Sequence, residues 1–578
     1  MSRLLDLVFQ KRGYDQSFLQ ELNTDLRQDF FALDSFLRVL YDLRESQETL
    51  VILPDFDMDG IMSGVLGMAG LSELGFHVEL YVPSPLLGYG VSKEVISDLV
   101  SKHPTVHTIL TCDTGITSFE GISYAKSLGL SVLVTDHHQV QETLPEADVV
   151  VDPFRKEDSY PLKGICGAHV LWQTLFRFAE TFGTKEEILQ IERLRVFAGI
   201  GTISDLMPVQ HENRKLISDT VFFCRLLLAT EDSSDSFVSS LSGCIFYRRA
   251  FHGLATVLRL FSQYGKIPLP DTLNEEFFGF YFAPMFNSIK RLGGDVFLAF
   301  SVFFSENPME YAEKLYQMNE ERKLLVARYF TAMMGQENPY APYIYLTDAP
   351  SGLLGLLAAK RMSESHLPTF VLRGDSLLGF HGSGRSPEWF PAQSYLRPLG
   401  FSLAGHEGAF GCSFPDTFDL LRLVTTLDAV LPSLVTTPDK MVLPFDYILD
   451  TKGVYGEGID LDDCSLFLSE CEDLRPFGIG FPHPEGLLVV QKDGYSRFSV
   501  TTMGSMKQHV KVTLPYGFEV LLWNQADQVD FLQQAPFFTI AGTLGRNSFM
   551  GRETIQFMGK VMEYTKEEIS EGVHADVY

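Results

Sequence analysis

Long apolar runs, paired cysteines, internal repeats and a positive charge excess are all missing from this chain, and each gap excludes a class of function. The longer apolar stretches, such as Val65 to Leu71, fall far below the roughly 20 residues needed to cross a membrane, so no membrane partner is expected. The start, Met1-Ser-Arg-Leu-Leu-Asp-Leu-Val, lacks the layout of a signal peptide. The 7 cysteines, at 112, 166, 224, 244, 412, 464 and 471, form no Cys-x-x-Cys pair. An odd, scattered set argues against a disulfide framework or a zinc finger and for reduced thiols in the cytoplasm. Lys and Arg number 46 against 74 Asp and Glu, a net charge of −28. Proteins that grip duplex DNA without sequence preference are basic over a broad face. An acidic shell repels phosphate, so any nucleic-acid contact must be confined to a local groove. By itself the charge equally serves solubility.

What is present is enough for several cores: 578 residues, 45% of them hydrophobic, with a mean hydropathy of +0.06. Typical domain size gives about three to four domains. Residues 1–48 read as a helical segment, with Phe30, Phe31, Leu33, Phe36, Leu37, Val39 and Leu40 at near-helical spacing. From 49 the chain alternates: strand to Pro54, helix 60–74, strand 77–82, helix 91–101, strand 107–112, helix 118–128, strand 131–135. That alternation predicts a mostly parallel sheet covered by helices. Residues 165–230 are largely helical, closing a first α/β lobe at 49–240. A helical connector follows at 241–335, including a long amphipathic helix from Tyr311 to Met334. A second α/β lobe spans 336–440 and holds two Gly-rich turns, Gly382-Ser-Gly384 and Gly405-His-Glu-Gly408. Residues 441–565 carry short β-rich runs consistent with a small barrel, and 566–578 form an acidic, frayed tail. The fold class is α/β: two α/β lobes joined by a long helix, plus a C-terminal barrel.

The chemistry gathers at strand ends. Asp136-His137-His138 follows the apolar run Val132-Leu-Val-Thr135, Asp55-Phe-Asp57-Met-Asp59-Gly60 follows Thr49 to Pro54, and Asp113-Thr-Gly-Ile116 follows Thr108 to Cys112. Open α/β sheets bind ligands at the carboxyl ends of their strands. D-x-D-x-D-G also opens an EF-hand loop, but the twelfth position, which should be Glu, is Leu66, and the preceding strand is wrong for that motif. Oxygen-rich ligands with one or two imidazoles suit Mn²⁺ or Mg²⁺ better than a thiolate-selected metal. Two such ions would activate water and stabilise a leaving oxygen at phosphorus. Asp205, in Gly199-Ile-Gly-Thr-Ile-Ser-Asp205-Leu-Met-Pro208, is on spacing alone equally an acid in a helix-ending turn.

D-F-D-M-D-G, D-T-G-I, T-D-H-H and G-T-I-S-D-L-M-P, in this order, resemble the four motifs of the DHH phosphoesterase superfamily. The chain is most similar to its RecJ-type branch, the single-strand-specific 5′→3′ exonucleases of bacteria and phages. Gly88-Tyr89-Gly90, Cys166-Gly167-Ala168, Glu212-Asn213-Arg214, Pro284-x-x-Asn287 with Arg291, Gly382-Ser383-Gly384-Arg385-Ser386, Gly405-His406 and Pro476-Phe-Gly-x-Gly480 resemble further signatures of that branch. The resemblance implies a DHH catalytic domain, a DHH-associated domain and an OB-type barrel. It implies two Mn²⁺ or Mg²⁺ ions held by Asp57, Asp59, Asp113, His137 and Asp205, with Asp113 bridging. His138, Asp136 and Asp55 join them as catalytic groups. Ser383, Gly384, Arg385, Ser386, His406, Arg291 and Asn287 would grip the DNA backbone or its 5′ end; an Arg fork matches phosphate oxygens, and Gly turns let backbone N–H groups approach them. Trp523 and Phe549 are stacking candidates in the barrel, or else core aromatics. The implied partners are single-stranded DNA and a single-stranded-DNA-binding protein or a helicase, with the enzyme a cytoplasmic monomer.

The sequence also departs from that pattern. Pro83-Ser84-Pro85 has no Arg where relatives carry Pro-x-Arg, His169 stands at a usually small position, and Ala404 replaces a Gly. Two other functions compete: a DHH phosphodiesterase for short oligonucleotides or cyclic dinucleotides, and a catalytically silent single-strand-binding scaffold. The C-terminal barrel counts against the first, and the complete ligand set against the second.

Overall fold

A computed structural model describes residues 1–88, 90–229, 242–264, 272–375, 377–434, 444–492, 498–504, 507–549 and 552–575; Tyr89 of the Gly-Tyr-Gly signature lies outside them. The chain divides into two compact units: Asp25–Val435, and Met1–Thr24 together with Thr436–Tyr578. The N-terminal helical segment is therefore split. Helices α1 (Arg3–Arg12) and α2 (Gln16–Leu22) belong to the C-terminal unit, where Leu4, Leu5, Val8 and Leu22 join its core. Helix α3 (Leu33–Ser46) buries Leu33, Phe36, Leu37, Leu40 and Leu43 in the first lobe.

That lobe is a five-stranded sheet of β1 (Thr49–Pro54), β2 (Val78–Leu80), β3 (Val106–Cys112), β4 (Ser131–Thr135) and β5 (Val149–Val151), in the order β2-β1-β3-β4-β5. All pairs are parallel. Every residue of β1 is buried, as expected of a strand covered on both faces. Its side chains alternate between two cores, with Leu50 and Ile52 on one side and Val51 and Leu53 on the other. The sequence order reverses between β1 and β3, which makes their carboxyl ends the switch point where such sheets bind ligands. The short strand β5 was not anticipated.

Around this sheet run α4 (Met58–Glu73), α5 (Lys93–Lys102), α6 (Phe119–Ser127), α7 (Gly167–Phe182), α8 (Lys185–Arg193), α9 (Arg195–Ser204) and α10 (His211–Ala229). The connector includes helices Ala283–Leu292 and Pro308–Met334. The second lobe has the sheet order β6-β7-β8-β10-β9, with β6 Ile344–Leu346, β7 Thr369–Asp375, β8 Gly379–Arg385, β9 Ser402–Gly405 and β10 Ala409–Phe414. Here Gly382-Ser-Gly384 is not a turn but the middle of β8. Side chains at 382 and 384 would overlap Val371 O and the Phe410 ring, so both glycines serve close strand contact. Only Gly405 to Gly408 is a turn, joining β9 to β10.

The C-terminal unit is an eight-stranded sheet, β12-β11-β13-β17-β18-β16-β15-β14, built from β11 Tyr447–Asp450, β12 Glu457–Gly458, β13 Gly486–Gln491, β14 Ser499–Met503, β15 His509–Thr513, β16 Glu519–Leu522, β17 Phe537–Phe549 and β18 Arg552–Met562. The frayed-tail expectation is corrected: Lys566–Ala575 is a helix, anchored by Ile569, which is buried against Phe445, Leu487 and Val489. Trp523 is 51% exposed, edge-on to His509, so it is not a core aromatic; the side chain of Phe549 lies outside the described residues.

Candidate active site

One backbone device repeats at three strand ends. The amide of Asp55 donates to Cys112 O (3.1 Å), that of Asp113 to Thr135 O (2.9 Å) and that of Asp136 to Val151 O (3.0 Å). Each acid is thus the last rung of the parallel ladder, pinned to the final carbonyl of the neighbouring strand. This converts strand register into side-chain position.

The β1 end continues directly into α4. Asp57 caps that helix, its Oδ1 accepting from the amides of Asp59 (3.0 Å) and Gly60 (3.2 Å), as N-cap acids do. Gly60 is required because a Cβ there would overlap Asp55 O. Asp59 accepts from the amides of Gly167 (2.6 Å) and Ala168 (3.1 Å), the start of α7, where the positive end of the helix dipole favours a carboxylate. Asp113 sits at φ +60°, a conformation costly for a non-Gly residue. His137 Nε2 lies 3.1 Å from Asp113 Oδ1, 3.6 Å from Asp205 Oδ2 and 3.8 Å from Asp59 Oδ2. Asp205 caps the end of α9.

These ligand atoms form three overlapping groups, each within 4.8 Å: Asp59, His137 and Asp205; Asp55, Asp57 and Asp113; Asp113, His137 and His138. Asp113 joins the second group to the third. Its Oδ1 is buried and makes no hydrogen bond, although His137 Nε2 stands beside it. Burial, reinforced by Asp59 and Asp57, holds the Asp113 carboxyl well above its ordinary range. Burial likewise raises Asp59, lifts Asp205 to about 8 with help from Asp59 and Asp57, and lifts Asp55 to about 6 with help from Asp57. Burial lowers His137, favouring the neutral imidazole that binds metals. A crowd of buried acids around a neutral imidazole fits hard divalent cations, and the oxygen-rich donors select Mn²⁺ or Mg²⁺ over softer metals. The side chains of Asp205 and His138, 34% and 49% exposed, form the open side.

Asp136 has a different task from the catalytic one expected. Its carboxylate accepts from the amides of Ile116 (2.9 Å), His137 (2.7 Å) and His138 (3.2 Å), and meets His138 Nδ1 at 2.7 Å. Burial pushes this acid up, but the bond to His138, the charge of that ring and the Ile116 amide together outweigh it and leave Asp136 below its ordinary value. The same bond lifts His138 to about 9. Asp136 is a buried positioning residue, and His138 is the cation it presents.

Asp152, just beyond β5, escaped the sequence reading. It is fully buried, its Oδ1 accepts from the Phe154 amide and its Oδ2 has no partner. Burial, with Asp136 next, pushes it to about 8. Its place after the Val149-Val-Val run was the available signal.

The expected phosphate-gripping residues separate into two sets. Ser386 is buried, its hydroxyl donating to Phe390 O at 2.7 Å, and Gly384 lies against the Phe410 ring. Ser383 lines a groove of about 320 Å³ with Ser351, His381, Ala404 and Gly411. His406 is exposed in the β9–β10 turn. Arg385 lies against the helix Ser351–Ser365, where a Cβ on Gly355 would stand 2.7 Å from its Nη2. Burial and the charge of Arg291 both lower Arg385, so these two guanidiniums are near neighbours. Asn287, one turn before Arg291 on the helix Ala283–Leu292, has a buried Oδ1 without a partner.

Comparison with known proteins places this geometry. The family model for the DHH family, N-terminal domain, matches residues 49–200, and that for the RecJ OB domain matches 458–560. The chain is 27% identical over 451 residues to the single-stranded-DNA-specific exonuclease RecJ of Haemophilus influenzae, covering 71% of each protein. It is 26% identical over 578 residues to the protein of that name from Bacillus subtilis, covering 95% of this chain and 66% of the relative, just under two thirds of its length. The crystal structure of RecJ from Thermus thermophilus in complex with Mn²⁺ superposes with a TM-score of 0.72 at 21% identity, covering 98% of this chain and 76% of that one.

Proposed function

We propose that this chain works as a RecJ-type member of the DHH family: a metal-dependent exonuclease that degrades single-stranded DNA 5′→3′ to 5′-mononucleotides. The observation that carries the reading is the convergence, at the sheet's switch point, of Asp59, Asp113 and Asp205 on His137 and of Asp55 and Asp57 on Asp113. The manganese complex of the Thermus relative agrees with the donor set in favouring Mn²⁺ or Mg²⁺, and we take the cofactor to be two such ions. Bound there, the cations would supply Lewis acidity to deprotonate water and to offset charge at the scissile phosphate.

The remaining work belongs to side chains of the protein. Asp136 orients His138 through Nδ1, so that the other ring N–H, on the half-exposed side of the site, can donate to a phosphate oxygen. Arg291 and Arg385 hold the backbone of the strand, since forked guanidinium donors match phosphate geometry. Exposed Trp523 offers a face on which a base can stack. The RecJ OB match over 458–560 favours long strands over dinucleotides. The retained ligand set favours cleavage over silent binding. We further assign the enzyme to the cytoplasm as a monomer, in DNA recombination and repair or phage DNA metabolism, recruited by a single-stranded-DNA-binding protein or a helicase.

The test pairs Asp113→Ala and His137→Ala with wild type on a long single strand and on dinucleotides. Both variants should lose Mn²⁺-dependent degradation of the long strand by at least about 10³-fold, comparable to losing a principal electrostatic element of catalysis, with unchanged circular dichroism. Near wild-type rates in either variant would refute the ligand assignment. Cleavage of dinucleotides alone would move the enzyme to the small-substrate reading.

A further inference from the structure

The helix Ala283–Leu292 packs against α4, whose first turn carries Asp57 and Asp59, and against the helix Ser351–Ser365 of the second lobe. The second contact is tight: a Cβ on Gly352 would overlap Arg291 O. The connector helix therefore touches both the helix that carries Asp57 and Asp59 and the helix against which Arg385 lies. Spacings of three and four residues put Asn287, Lys290 and Arg291 on one face of it. On one flank of that face, the charge of Lys290 reaches Asp55. On the other flank, the charge of Arg291 reaches both Arg385 and Arg322, the latter on the helix Pro308–Met334. Between them lies the buried, unpartnered Oδ1 of Asn287.

Charge balance gives this strip a purpose. The five carboxylates Asp55, Asp57, Asp59, Asp113 and Asp205 carry one more negative charge than two divalent cations neutralise. An incoming phosphodiester would meet a net anionic centre. His138 does not correct this, because Asp136 balances it. Lys290 does, from the side on which the arginines stand.

We propose that Lys290 is a further substrate-binding residue of this site, contacting the phosphate next to the scissile one and joining the acidic centre to the Arg291, Arg322 and Arg385 cluster in one phosphate track. This rests on the nuclease reading above. The track explains how a chain of net charge −28 can take a polyanion: Lys290 and Arg291 on one helix meet Arg322 and Arg385 from two other elements, which gives a local cationic strip on an acidic molecule.

Fluorescence anisotropy of a 3′-labelled, 5′-phosphorylated single strand tests this with Ca²⁺ replacing the reactive metal, alongside Mn²⁺ calorimetry on the same proteins. Lys290→Met should weaken DNA binding about tenfold, the order expected for losing a charged hydrogen bond. It should also flatten the log–log salt slope by about 0.7, the share of one phosphate on a single strand. Mn²⁺ affinity should stay equal or rise, because a cation has been removed from beside the carboxylates. Lys290→Arg should bind DNA within about twofold of wild type, since it keeps the charge. Unchanged DNA affinity in Lys290→Met would overturn the proposal. So would a parallel loss of Mn²⁺ affinity, which would make Lys290 a support for Asp55, or an equal defect in Lys290→Arg. Wild type that fails to degrade single strands at all would refute the nuclease reading instead.

Discussion

At the scale of single residues, the site depends on small side chains as much as on acids. Gly167 and Gly201 face Asp113 and Asp59 from α7 and α9: a Cβ on Gly167 would stand 2.6 Å from Asp113 Oδ1, and one on Gly201 would overlap Asp59 Oδ1. Displacing a group that supports a metal ligand costs about 10–100-fold in affinity. Gly201→Ala should therefore weaken Mn²⁺ binding by at least about tenfold in calorimetry while keeping the far-ultraviolet circular dichroism of the wild type; unchanged affinity would mean that Asp59 is not a ligand. The acids themselves were legible in the sequence, because their meaning lies in following a buried strand. The inward turn of Asp136 and the burial of Ser386 were not. Both depend on which neighbour a side chain finds, Ile116 and His138 for one and Phe390 for the other, and spacing carries no record of that.

Among elements, periodicity was informative where runs were long. The four strands that were anticipated appear in the sheet, β4 with the bounds expected. β5 is the run Val149–Val151, identical residues in which no alternation can register. Gly382-Ser-Gly384 misled because glycine marks both turns and close strand contact; only the Phe410 ring on the adjacent strand distinguishes the two. The C-terminal helix misled through its charge, since one buried side chain, Ile569, is enough to dock it. Ile569→Ala should destabilise the C-terminal unit by about 2–4 kcal/mol, the usual cost of emptying such a site, measured by urea unfolding of the whole chain. A change below about 0.5 kcal/mol would show that the helix is not docked.

For the whole molecule, the acidic centre couples stability to pH and to metal. Asp55 and Asp205 have folded values raised above the unfolded 3.8, to about 6 and about 8, and burial holds Asp113 well above it. Folding therefore favours their protonated forms. That contribution is fully present below about pH 4 and is lost as pH rises through 6 and 8. His138, raised to about 9 from 6.5, loses its contribution in the same direction as pH passes 9. Metal-free protein should show a falling Tm between pH 5 and 8, and Mn²⁺ should raise Tm more at pH 8 than at pH 5. A metal-induced shift that is larger at pH 5 would contradict the buried-acid centre. The gathering of acids at the strand ends could be read from the motifs, whereas the cationic track could not. Arg291, Arg322 and Arg385 come from separate elements, and only tertiary structure brings them together against an acidic background.

The central claim is polarity-specific digestion of a single strand at this centre. Its most direct measurement is digestion of a long single strand labelled at either its 5′ or its 3′ end, with Mn²⁺ and an EDTA control. Immediate release of a labelled mononucleotide from the 5′ end, with gradual shortening of the 3′-labelled strand, is the predicted result. Release from the 3′ end first, or an intact long strand in the presence of Mn²⁺, would contradict it.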